Sequence, residues 1–138
     1  MRKITEVMKL EEIPRGTAQQ RKLSIVNGRA MSYPSRTLEH ARAVYAYQFA
    51  KLGRPKEPFK GPCKLTLAFV FGTKEKKKIR EHWKTTKPDC DNLAKVFIDA
   101  LNHNGFLTDD NQISSLSVSK WWDSESKILF ELEELTDG

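Results

Sequence analysis

KPDCDNLAKVFIDALNHNGFLTDDNQI, residues Lys87–Ile113, carries a helix, a tight reversal and a set of acids in one run. Leu93, Val96, Phe97, Ala100 and Leu101 recur three or four residues apart, the spacing of one buried helix face, and predict a helix over Asp91–Asn102. Pro88 suits an extended pair just before that helix. Asn102, Asn104 and Gly105 stop it.

On the N-terminal side of this run, Cys63–Phe71 alternates cleanly, with Cys63, Leu65, Leu67, Phe69 and Phe71 to one side, and reads as a half-buried strand. The polar connector GTKEKKKIREHWKTTKP (Gly72–Pro88) follows it, with Lys74, Lys76, Lys77, Lys78, Arg80, Lys84 and Lys87, and is expected to be a solvated loop. After the acids, Gln112–Trp122 and Lys127–Glu134 are expected to pair as a hairpin across DSES. In the second of these strands Ile128, Phe130 and Leu132 alternate with Leu129, Glu131 and Glu133. Further back, Thr37 is a candidate cap for a helix running to about Leu52, ended by Gly53 and Pro55. Its apolar positions, Leu38, Ala41, Val44, Tyr45, Phe49 and Leu52, follow helical spacing. Ile13–Leu38 holds Arg15, Arg21, Lys22, Arg29 and Arg36 and no acid, with Asn27-Gly28 placed for a tight hairpin turn. Lys3–Leu10 is a strand candidate. There are no internal repeats and no second domain boundary, so the 138 residues are expected to form one domain.

The acids suggest a chemistry. In an extended segment Asp89 and Asp91 face the same side, where two carboxylates repel unless a cation lies between them. Mg²⁺ prefers hard oxygen ligands and keeps several waters, so two or three aspartates suffice. Asp109-Asp110 can return to the same point. A twelve-residue helix is about 17 Å long, and the eight steps from Asn102 to Asp110 reach up to about 27 Å. Lys95, one turn after Asp91 on the same face, could neutralise charge on a phosphate or hold an attacking water. Asp99 lies a further turn on. Each residue also has a structural reading. Asp91 could be a helix cap, Lys95 an ion-pair partner of Asp91 or Asp99, and Asp109-Asp110 a polar turn. A D-x-D alone is weak. A D-x-D opening a helix, with a lysine one turn on and paired acids after the loop, is far more specific.

The charge distribution agrees with this chemistry. The formal charge is +6, with six acids and one lysine from Asp123 onward, so the first 122 residues carry 23 basic and 12 acidic side chains. A basic body suggests a polyanionic partner, although solubility alone could also account for it. No apolar run approaches the ~20 residues of a membrane span, and the N-terminus lacks the apolar core of a secretion signal. Cys63 and Cys90 are too few for a disulfide framework. A cytoplasmic protein is expected, without a membrane and without a nucleotide cofactor, since neither a P-loop nor a G-x-G-x-x-G is present.

Lys87, Pro88, Asp89, Asp91, Asn92, Leu93, Lys95, Asp99, Ala100, Leu101 and Asn102, then Asp109, Asp110, Gln112 and Ile113, together resemble the motif of the RusA family of Holliday junction resolvases. The resemblance implies an α/β (α+β) fold, a single domain with a mixed central sheet and two main helices. It implies a homodimer that nicks four-way DNA junctions symmetrically, with Mg²⁺ (Mn²⁺ as a substitute) held by Asp89, Asp91 and Asp110 and with Lys95 catalytic. Asp109 is the alternate ligand. By charge, Arg15, Arg21, Lys22 and Arg29 in a basic loop (13–36), with Lys76, Lys77, Lys78 and Lys87, are the candidate DNA contacts. Residues 87–113 are the catalytic motif and 123–138 an acidic tail. Competing readings are a less selective nuclease of flaps and branched DNA, a junction-binding protein without catalysis, and a D-x-D sugar transferase.

Overall fold

A computed structural model describes residues 2–16, 21–26, 29–34 and 36–136, with only the backbone described for those between 21 and 36. In chain order the elements are β1 (Lys3–Lys9), β2 (Arg21–Val26), β3 (Arg29–Pro34), α1 (Arg36–Leu52), β4 (Cys63–Gly72), α2 (Lys76–Glu81), α3 (Cys90–His103), β5 (Ile113–Asp123) and β6 (Lys127–Glu134). A single 3₁₀ turn, Asp110–Gln112, precedes β5.

Four strands form one mixed sheet in the order β1-β6-β4-β5, and β2 and β3 form a separate antiparallel ribbon. In the ribbon Val26 is opposite Arg29, as the Asn27-Gly28 hairpin requires, although that dipeptide lies outside the described residues. In the main sheet β6 runs antiparallel to both β1 and β4, whereas β5 is parallel to β4. This corrects the expected hairpin, because β5 and β6 do not pair. β4 is the most buried strand, with both faces apolar near its end at Phe69, Val70 and Phe71, and it takes the place between them. The short connector after Asp123 therefore crosses the end of β4. It does so at Gly72, whose amide donates to Ser126 Oγ at 2.9 Å. A Cβ at Gly72 would lie 2.9 Å from the Ser126 backbone nitrogen, so only glycine lets the crossing pass. The acidic C-terminal stretch is thus not an appendage. Lys127–Glu134 is an inner strand, and its Glu131 lies 2.9 Å from Lys3 Nζ on β1.

Two further expectations change. α1 begins at Arg36, so Thr37 sits inside the helix and does not cap it. The lysine-rich connector is not all loop, because Lys76–Glu81 forms a short helix with no buried residue.

The two long helices share a core with one face of the sheet. Leu38, Ala41, Tyr45 and Phe49 of α1 are fully buried, as are Leu65 and Phe69 of β4, Ile128 and Leu132 of β6, and Phe97 of α3. Phe97 is the hub. Its ring meets Phe130 at 5.2 Å, Tyr45 at 5.4 Å, Phe49 at 5.7 Å and Phe69 at 6.3 Å, all tilted toward edge-to-face. One aromatic side chain thereby fixes α3, and the acids at its start, against both α1 and the sheet.

Candidate active site

The helical hydrogen bonds of α3 begin inside the D-x-D. The Leu93 amide donates to the Asp89 carbonyl at 3.1 Å, so Asp89 is the N-cap and Cys90 the first helical residue. The strict two-residue alternation expected of an extended Asp89-Cys90-Asp91 is therefore not met. The Asp89 carboxylate makes no cap hydrogen bond, although it stands where aspartate usually makes one. Asp91 lies in the first turn. Both side chains are exposed, and among the described residues neither carboxylate has a hydrogen bond or ion pair. Capping thus does not account for either acid.

The position of Asp89 is set from β5. Lys120 Nζ donates to the carbonyls of Thr86 at 2.6 Å and Pro88 at 2.8 Å. The preceding residues run along the open edge of β5. Trp122 N donates to the His82 carbonyl at 2.7 Å, Trp83 bridges Trp121, and Lys84 N donates to the Lys120 carbonyl at 3.3 Å. Residues 82–88 form a strap pinned to the strand that directly follows the second group of acids. Sequence reading missed Lys120, because an isolated lysine in a strand gives no signal of a partner about 30 residues upstream.

That second group is built by a reversal after α3. Gly105 has φ 82°, and the Phe106 amide reaches back to the Leu101 carbonyl at 3.0 Å, closing the helix with a left-handed residue. Phe106 and Leu107 are buried, and Phe59 N donates to the Phe106 carbonyl at 2.8 Å. Gln112 then locks the turn. Its Oε1 accepts from Thr108 N at 2.7 Å and Asp109 N at 3.0 Å, while its Nε2 donates to the carbonyls of Phe59 and Gly61. Asp109 is used locally, since its Oδ1 accepts from Asn111 N at 2.8 Å.

Asp110, Asn111, Lys95, Ile98, Asp99, Ile113 and Leu116 line one hollow of 380 Å³. Lys95 and Asp110, 15 residues apart in sequence, thus meet at one place. A hydrogen bond shared with Asp109, partial burial, and the charges of Asp109 and Asp99 hold the Asp110 carboxyl above the ordinary aspartate range. Asp99 is held by Arg42 of α1 at 3.2 Å and faces His103 at 3.4 Å. Arg42 was not legible as a site neighbour from the sequence.

The fit to a divalent cation can be tested on these residues. Among the described residues no three His, Cys, Asp or Glu side chains are gathered as a ready cage. Mg²⁺ does not need one, since it commonly takes one or two carboxylates with water and substrate phosphate completing the shell. Two carboxylates without partners among the described residues, and a third whose titration is raised by its hydrogen bond to Asp109 and by acidic neighbours, are hard-oxygen donors of the right kind.

Of the candidate DNA contacts, Arg15, Lys76, Lys77 and Lys87 are exposed. Lys78 pairs with Glu75 at 2.7 Å and lies 4.7 Å from the Trp122 ring centre. The side chains of Arg21, Lys22 and Arg29 lie outside the described residues. Lys84 is 6 % exposed, with its ammonium 4.2 Å from the Trp122 ring centre and 2.6 Å from Thr86 Oγ1.

Comparison with known proteins matches residues 13–133 to the family model described as endodeoxyribonuclease RusA. The chain is 32 % identical over 129 residues to a crossover junction endodeoxyribonuclease rusA of Lactococcus phage r1t, covering 91 % of this chain and 94 % of that protein. It is also 32 % identical over 110 residues to the uncharacterized protein YqaN of Bacillus subtilis (strain 168), covering 70 % of this chain and 77 % of that one. With the family model matched over residues 13–133 and a relative 32 % identical over nearly its whole length, the chain, a four-stranded mixed sheet packed by two long helices, belongs to the RusA endodeoxyribonuclease family.

Proposed function

We propose that the chain resolves Holliday junctions by paired, symmetric hydrolysis of phosphodiester bonds, with Mg²⁺ as cofactor and Mn²⁺ as a substitute, in DNA recombination and repair in the cytoplasm. The observation that carries this reading is the meeting of Lys95 and Asp110 in one hollow, next to a helix that opens with two uncommitted aspartates. Asp89, Asp91 and Asp110 would hold the cation, which when bound polarises the scissile phosphate and lowers the pKa of the attacking water. Lys95 carries a positive charge into the same hollow and stabilises negative charge gathering on the phosphate oxygens. Asp99, held by Arg42, keeps the wall opposite Asp110 acidic. Lys87 and the α2 lysines bind phosphates on the approach, giving an affinity that falls with salt.

The test is a synthetic four-way junction, a flap and a duplex, each incubated with and without Mg²⁺. Asp89→Asn, Asp91→Asn and Asp110→Asn should each abolish cleavage while junction binding persists or strengthens, because phosphate repulsion falls. Lys95→Ala should slow cleavage roughly 10²–10³-fold. Full cleavage by Asp89→Asn would overturn the site, and full cleavage by Asp110→Asn would pass its role to Asp109. Equal cutting of flaps and junctions by the wild type would replace resolution with a broader branched-DNA activity.

A further inference from the structure

Trp83 is 60 % exposed on the strap that leads into Asp89. We propose that it seats an unstacked nucleobase of the DNA substrate, the base lying against the indole while neighbouring cations hold the adjoining phosphates. The inference rests on the nuclease reading above and adds a base-binding site to it.

Three observations converge on this indole. The first is backbone strain. His82 has φ 69° and ψ −70°, and Trp83 N donates to the Glu81 carbonyl at 2.8 Å. That is a γ-turn of the strained hand, rare for any residue with a side chain. The chain adopts it where α2 ends, and the next residue is a large apolar side chain left in solvent. The second is bracing. His82 and Trp121 stack at 5.3 Å and 17°, and Trp83 stands perpendicular to both, 4.6 Å from His82 and 6.1 Å from Trp121. An indole ordered in advance loses little freedom when a ligand meets it. The third is charge. Between Lys74 and Lys87 seven basic residues face two acids, Glu75 and Glu81. Aromatic rings set among cations are the means by which proteins hold single-stranded nucleic acid, since every base offers a π-face whatever its sequence.

Tyr47 is also exposed, at 67 %, but it lines a hollow with Glu11 and Glu12, whose charges repel phosphate. Around Trp83 the one acid close in sequence, Glu81, is outnumbered by Arg80, Lys84 and Lys87. The base it would take is one already unpaired or poorly stacked, because only such a base leaves the helix at small cost. Bases at a branch point meet that condition.

The experiment uses the whole chain without divalent metal, so that no probe is cut. Binding to a twelve-residue oligo-dT strand, to a junction with unpaired thymines at the branch, and to a paired duplex is measured for wild type, Trp83→Phe, Trp83→Leu and Trp83→Ala. Trp83→Leu and Trp83→Ala should weaken binding to oligo-dT and to the thymine junction by roughly 5- to 150-fold. Duplex binding and the slope of affinity against salt should not change, since stacking releases no counterions. Trp83→Phe should keep most of the affinity but show much less of the tryptophan quenching that oligo-dT causes in wild type, since only Trp121 and Trp122 remain to report. Equal oligo-dT binding by Trp83→Leu and wild type would overturn the inference even if wild type still cleaves junctions with Mg²⁺. A wild type that neither binds nor cleaves DNA would overturn the nuclease reading and this inference together. Sedimentation that shows Trp83→Ala separating two copies of the chain, with oligo-dT binding unchanged, would assign the indole to an interface.

Discussion

Among the described residues, Tyr45 and Lys84 are the two side chains whose burial conflicts with their polarity. The Tyr45 hydroxyl is buried without a hydrogen-bond partner among the described residues, while its ring packs on Phe49 and Phe97. Leaving a buried hydroxyl unpaired costs about 1–3 kcal/mol, so Tyr45→Phe should be neutral to stabilising by thermal melting. A loss of several degrees would show that the hydroxyl is satisfied in solution. Lys84 sits on Trp122 and Phe71, and burial, then the charges of Lys120, Arg15 and Lys78, hold its ammonium below the ordinary lysine range. The folded chain therefore binds fewer protons than the unfolded chain between that lowered value and 10.5. Lys84's contribution to stability is present above the unfolded value and is lost as pH falls through the folded one. Comparing wild type with Lys84→Met from pH 7 to pH 10.5 should show wild type gaining ground as pH rises, and a constant difference would mean that the lysine titrates normally. The candidate acids were legible in the sequence because their spacing is short and their chemistry unusual. Lys84 was read as loop charge, since nothing in a lysine's neighbours in sequence says that a strand from elsewhere covers it.

Among the elements, the strap from His82 to Pro88 matters most to the site. It joins α2 to α3 and is held to β5 by backbone pairing and by Lys120. Lys120→Met removes the one ammonium that donates to both carbonyls just before Asp89 but keeps an unbranched apolar side chain. The Mg²⁺ concentration for half-maximal cleavage should rise by about 10–100-fold, the usual effect of losing a group that orients a metal ligand. Metal-free junction binding should be unchanged, and Lys120→Arg should restore much of the loss. Weaker metal-free binding with unchanged Mg²⁺ dependence would make Lys120 a DNA contact instead. Long periodic elements were readable in advance. α1, β4 and α3 follow from apolar spacing, because one face of each meets the same core. Pairing order was not readable. β5 and β6 look like a hairpin because only a few residues separate them, and local spacing carries no record that β4, the most apolar strand, takes the place between them. α2 was missed for a related reason, since it buries nothing and so leaves no apolar period.

For the molecule as a whole, the remaining question is how one site serves a two-fold substrate. Resolution needs two cuts in strands related by a two-fold axis, and each chain offers one acidic constellation. A two-fold dimer with an isologous interface meets that need with one site per strand. Of the aromatic residues in described positions, Tyr45 and Phe71 are buried and Trp122 packs on the core, whereas Tyr47, Trp83 and half-buried Trp121 reach the surface and could contribute to such an interface. The inner position of β6 keeps its glutamates in the sheet, where Glu131 and Glu133 meet Lys3, so this acidic strand does not oppose DNA as a free tail would. We expect a dimer at micromolar concentration that makes paired nicks. Mixing wild type with Asp91→Asn subunits tests this directly, because a mixed dimer keeps one working site on a substrate that needs two. Such mixtures should accumulate junctions nicked in one strand, whereas wild type alone gives two nicks per junction and Asp91→Asn alone gives none. A monomer by sedimentation, free and on junction DNA, with nicks scattered independently over the four arms, would remove the resolvase reading and leave a nuclease that acts one strand at a time.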